Sequence, residues 1–122
     1  MNNEDNNLIK EEIIKSKIYT IRGVQVMLDS DLAELYNIET KHLTRQASRN
    51  IERFPKRFRF QLTREEYYGI LRYQNVTLEL EQGKYSKYLP YVFTEQGVYM
   101  LATVLKSETA VKKSRFILST IT

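Results

Sequence analysis

Four cations, Lys41, Arg45, Arg49 and Arg53, recur at every fourth residue, a spacing that lines one side of a helix. Thr40, His42, Thr44 and Ser48 stand among them, short side chains that donate and accept hydrogen bonds and can meet the edges of bases. Lys56, Arg57 and Arg59 follow closely. From residue 41 to residue 64 there are eight basic residues against one acid, Glu52, a net of +7; the rest of the chain holds eleven basic and fourteen acidic residues, a net of −3 within the total of +4. A merely solvated helix face usually intersperses carboxylates four residues from its lysines and arginines. Charge concentrated in this way suits a polyanion, and planar guanidinium groups suit phosphate oxygens and guanine edges.

Other residue combinations offer little chemistry. Asp29 with Asp31 and Glu65 with Glu66 are the nearest carboxylate pairs, and the starts of helices account for both. There is no cysteine and only one histidine, His42, so neither a thiolate nucleophile nor a Cys or His metal cluster can be assembled. No glycine-rich phosphate loop is present. The expectation is binding without catalysis, metal or cofactor. Phe58 and Phe60 alternate with Arg57 and Arg59, and aromatic residues at strand spacing are expected to anchor the core rather than stack on bases.

The cationic row works only if a helix spans it. Residues 41–53 carry Leu43, Ala47, Asn50 and Ile51, followed by Phe54, on the opposite side at about 100° per residue, with Thr40 as cap and Pro55 as stop. A shorter helix over 31–36 precedes it, capped by Asp29 and Ser30 and ended by Asn37 in a left-handed conformation. The run DLAELYNIETKHL therefore has a helix-turn-helix pattern, with small Ala33 permitting a close crossing. Upstream, a helix over 4–16 leads to two short strands around 18–20 and 24–28, joined by a turn at Arg22-Gly23. Downstream, 57–62 alternates as a strand with an apolar and a cationic face, and Thr63 with Glu66 forms a capping box for a helix to Tyr73. Residues 74–91 carry no decisive pattern. Thr94 then caps a helix over 95–105 and Ser107 starts another over 108–121.

These elements give an α+β fold: one small domain with a helix-turn-helix-like pair, short antiparallel strands and C-terminal helices. The division expected is a helical extension over 1–17 and the DNA-binding domain over 18–122. A chain of 122 residues with 42% hydrophobic residues can bury one core. No apolar run is long enough to span a membrane, and the first 17 residues lack a secretory apolar region. With no cysteine as well, a cytoplasmic location is expected.

Two runs, IRGVQVMLDSDLAELYNIETKHLTRQASRNIERFPKRFRFQLT and YLPYVFTEQGVYMLATVLKSETA, together resemble the phage-type domain called ORF-six-N, a relative of the KilA-N and Bro-N domains of phage and large-DNA-virus antirepressors. The likeness covers about residues 18–121, and its markers are LDSDLAELY, NIERFP, FQLT and LPYVFTEQG. It implies a DNA-binding domain of a phage or prophage transcriptional regulator or antirepressor, with the recognition helix on 40–53. Asn37 stands where the family often has glycine, and 74–88 lacks the serine and glycine richness frequent there.

The expected partner is double-stranded DNA, contacted by Thr40, Lys41, His42, Thr44, Arg45, Ser48, Arg49, Arg53, Lys56, Arg57 and Arg59. The alternative is a protein-interaction module that engages another regulator without touching DNA. A homodimer through the apolar residues 116–121 is a further expectation, since this run reaches the end of the chain without a cap.

Overall fold

The computed structural model describes residues 3–74 and 88–121, with side chains from Lys10 onward. Helix α1 (Asn3–Ser16) leads into strands β1 (Ile18–Ile21) and β2 (Val24–Leu28). These pair antiparallel with Ile18 opposite Met27 and Ile21 opposite Val24, which leaves Arg22 and Gly23 as a two-residue turn. Both have positive φ, 54° and 79°, the arrangement whose twist matches that of the flanking strands.

Helix α2 (Asp29–Tyr36) follows β2 directly and starts two residues before the expected position. Asp29 and Ser30 are not its caps: Leu28 occupies that position without a side-chain bond. Asn37 does end α2 in the left-handed conformation, at φ 60° and ψ 44°. Its N–H donates to the Glu34 carbonyl and that of Ile38 to the Ala33 carbonyl, at 3.1 and 3.0 Å, a pairing that satisfies two carbonyls the helix end would otherwise orphan.

Helix α3 (Thr40–Arg49) begins after Glu39, and no side chain caps it, so Thr40 is its first residue rather than its cap. It also ends four residues before the expected Arg53. The Asn50 amide donates to the Gln46 carbonyl at 2.9 Å, and a tight 3-10 turn, Ile51–Arg53, follows. That turn rotates the residues after Asn50 away from the α-helical phase. Ile51, expected on the core side, is 64% exposed, while Phe54 is buried and meets the Phe93 ring edge-on at 5.8 Å.

Strand β3 (Arg59–Gln61), helix α4 (Arg64–Tyr73), strand β4 (Tyr91–Phe93) and helices α5 (Glu95–Leu105) and α6 (Glu108–Thr120) complete the chain. The Thr63 and Glu66 capping box is formed, and Thr94 and Ser107 cap α5 and α6. Most of the stretch without a decisive sequence pattern, residues 75–87, lies outside the described residues. Strand β4, from Tyr91 on, lies inside the antiparallel sheet, whose order is β1-β2-β4-β3.

Both faces of this sheet are covered. Met27 and Phe93 sit opposite one another and join Ile14, Leu32, Leu43, Ala47, Val98, Leu101 and Ile117 in the larger core. Leu28 and Val92, also opposite, join Phe60, Leu62, Tyr67 and Ile70 beneath α4. Full burial of each such side chain contributes about 1.5 to 3 kcal/mol. Within the larger core the Tyr36 hydroxyl bonds the Ser114 hydroxyl at 2.7 Å and ties α2 to α6; burial pushes the Tyr36 phenol up to about 12. The apolar run at the end of α6 is largely spent here, with Ile117 buried and Phe116 and Ile121 half-buried. The protein is a small α+β domain.

Candidate nucleic-acid interface

Leu43 and Ala47 are fully buried on α3, and this fixes what its other side presents. Lys41, His42, Arg45, Ser48 and Arg49 are exposed, while Thr40 and Thr44 are half-buried at the margin. Lys41 reaches Glu39 at 3.5 Å, a pair in which both side chains are about three-quarters exposed. Such a surface contact is worth little. Arg45 and Arg49 make no ion pair among the described residues.

Arg53, on the 3-10 turn, is exposed and extends the positive charge beyond the end of α3. Lys56 and Arg57 are exposed on the turn that leads into β3. This turn is built firmly. The Pro55 carbonyl accepts from Phe58 and Arg59 N–H at 2.8 and 3.0 Å, and the Phe58 carbonyl accepts from Thr94 N–H at 3.0 Å. The Thr94 hydroxyl reaches the Arg57 carbonyl at 2.7 Å while accepting from Gly97 N–H. Gly97 is obligatory in this place, because a Cβ on it would lie 2.0 Å from the Phe58 carbonyl oxygen. Lys56 and Arg57 share an open groove of about 670 Å³ with Arg22 and the first residues of α5.

Arg59 departs from expectation. Alternation along 57–62 placed it on a cationic strand face open to solvent, but it is 8% exposed. The reason is the covered sheet: Arg59 pairs across from Phe93 and points into the same layer as the larger core. Its guanidinium lies 3.8 Å from the centre of the Tyr91 ring and 5.9 Å from that of Phe93, and burial lowers its pKa. Phe58 and Phe60 are anchored as expected, the first half-buried and the second buried.

A polar cluster that the sequence did not foreshadow lies beside α3. Asp29 is fully buried. Its Oδ1 accepts from Ser30 N–H at 2.7 Å, and its Oδ2 accepts from the Tyr88 hydroxyl at 2.5 Å and from Tyr91 N–H at 3.2 Å. Desolvation raises the Asp29 pKa, and these bonds and the Arg59 charge oppose the rise. Thr44 lies beside the Tyr88 phenol on the α3 side. Partners separated by 59 and 62 residues leave no local signal in a sequence.

The ORF6N domain family matches residues 16–104, from the end of α1 to the last turn of α5. This chain belongs to the ORF6N family. No curated protein and no solved structure matches it. ORF6N is a phage-type regulatory domain, and the match takes in the whole of α2, α3 and the turn that carries Lys56 and Arg57. Among the described residues of this ORF6N domain, no helix is long and apolar enough to cross a membrane and no three acidic or histidine side chains group as metal ligands do.

Proposed function

We propose that this ORF6N domain binds double-stranded DNA as part of a phage- or prophage-type transcriptional regulator or antirepressor, with α2 and α3 acting as a helix-turn-helix. One observation carries the reading: α3 buries Leu43 and Ala47 and presents Lys41, Arg45 and Arg49, of which only Lys41 meets an acid among the described residues. A recognition helix is inserted by its first turns, which here hold Lys41, His42 and Arg45, with Ser48 one turn further. Arg53, Lys56 and Arg57 lie past the helix and suit phosphates. No turnover is part of this reading, so plasmid incubated with magnesium or manganese is expected to stay intact; cleavage abolished by Glu65→Gln or Asp31→Asn would contradict it.

A second reading, engagement of another regulator without DNA, draws support from a groove of about 310 Å³ between α1 and α6, floored by Ile13, Leu35 and Phe116 and edged by Lys10, Lys112 and Lys113. Fluorescence anisotropy with duplexes selected from a random pool decides between the two. DNA binding predicts affinity that falls steeply and log-linearly with salt, as counterions are released. A salt-insensitive complex with a regulator, and no duplex bound at low salt, would replace the first reading by the second.

A further inference from the structure

Tyr88 rejoins the described fold against the flank of α3, and its position there is fixed. Its hydroxyl donates to the fully buried Asp29 at 2.5 Å. The Thr44 side chain, on α3, lies beside the same phenol. The bond to Asp29 holds the phenol end at the start of α2, with Thr44 of α3 beside it. The residue is nevertheless 42% exposed, so part of the ring faces solvent.

The helix phase says where. At about 100° per residue, Thr44 lies about 60° round α3 from Lys41 and about 40° from Ser48, both exposed. Tyr88 therefore borders the side of α3 that carries the cations, next to its first turns. A tyrosine offers a large apolar surface with few rotatable bonds, so one already held in place loses little entropy when it makes a contact.

We propose that Tyr88 is an uncharged part of the DNA interface, its ring packing on the sugars of the DNA strand beside Lys41 and Ser48, with Asp29 as the positioning residue that holds it there. The assignment rests on the DNA-binding reading and adds a contact outside the helix pair. An apolar contact releases no counterions, so it contributes affinity without contributing to the salt slope. That signature separates Tyr88 from every cation nearby.

The test measures duplex affinity against salt for the wild-type chain, Tyr88→Ala and Tyr88→Phe, with thermal unfolding of each. Tyr88→Ala is expected to bind about tenfold more weakly at every salt concentration with an unchanged slope. Tyr88→Phe keeps the ring and loses the anchor, and is expected to fall between the two. Photocrosslinking of the wild-type protein to a duplex carrying 5-bromouracil, which needs no variant to fold, is expected to mark the peptide containing Tyr88. Wild-type affinity in a folded Tyr88→Ala, a slope altered by about one, or crosslinks confined to other peptides would overturn the assignment. A wild-type chain that binds no duplex would remove the DNA reading, and this assignment with it.

Discussion

The Arg59 guanidinium stacks 3.8 Å from the centre of the Tyr91 ring, on the sheet face shared with Phe93. A cation over an aromatic ring in a desolvated place contributes to stability, and its aliphatic stem also packs. Arg59→Ala is therefore expected to cost about 1 to 2 kcal/mol in chemical denaturation. Among folded molecules it is expected to leave the salt slope of DNA binding unchanged. A slope reduced by about one would show that Arg59 reaches a phosphate after all.

Ala33 is 1% exposed within the core that α2 shares with α3 and α6, and its carbonyl receives the Ile38 N–H that closes the end of α2. Ala33→Leu is expected to overpack the site and cost about 1 to 3 kcal/mol, read as a lower urea midpoint with an unchanged m-value. An unchanged midpoint would contradict a close crossing there.

Glu66 joins two structures through one carboxylate. It accepts from Thr63 N–H at 2.8 Å, and receives the Arg22 Nε and Nη2 at 2.8 and 3.0 Å. The bond from Arg22 is the chief cause that holds its pKa down at about 2, below the ordinary 4.5. A carboxylate with a depressed folded-state pKa contributes stability above its unfolded value and loses it as pH falls through the folded one. The stability difference between the wild-type chain and Glu66→Gln should thus be full above pH 4.5 and shrink as pH falls to about 2. Its size should be about 1 kcal/mol, because water screens this surface clip. Arg22→Ala should remove most of the dependence, and a difference independent of pH would show that the clip carries no net stability.

Local chemistry was legible in the sequence, and chemistry between distant residues was not. The turn at Arg22-Gly23, the helix end at Asn37, the Thr63 and Glu66 box and the Thr94 cap each form within four residues, so residue type and spacing reveal them. The two faces of α3 were legible for the same reason, since Leu43 and Ala47 repeat with the helix period. Arg59 was misread because alternation cannot tell a strand with one wet face from a strand covered on both. Ile51 was misplaced because the Asn50 side chain breaks the helical phase one residue earlier. Asp29 resembled a cap, but its partners Tyr88 and Tyr91 are about 60 residues away and β4 could be recognised only from its neighbours.

Reading DNA and holding it are expected to fall on different residues of the proposed surface. Arg45 is exposed, free of any ion pair among the described residues and in the second turn of α3, where a recognition helix lies deepest in the major groove. If it grips guanine through both guanidinium nitrogens, Arg45→Ala should lose about 1 to 3 kcal/mol on the preferred sequence and discriminate less at one base position. Lys56 and Arg57 stand on the Pro55 turn beyond the helix, held by backbone bonds to Thr94 rather than by α3. A charge there is expected to meet phosphates, which carry no sequence information. Lys56→Ala and Arg57→Ala should weaken binding to all duplexes alike and lower the salt slope by about one each. Binding measured on the selected duplex and on single-base variants across a salt series separates the two classes. An Arg45→Ala protein that folds and keeps both affinity and sequence preference would remove α3 as the recognition helix, and engagement of a regulator through the groove between α1 and α6 would become the better account of this domain.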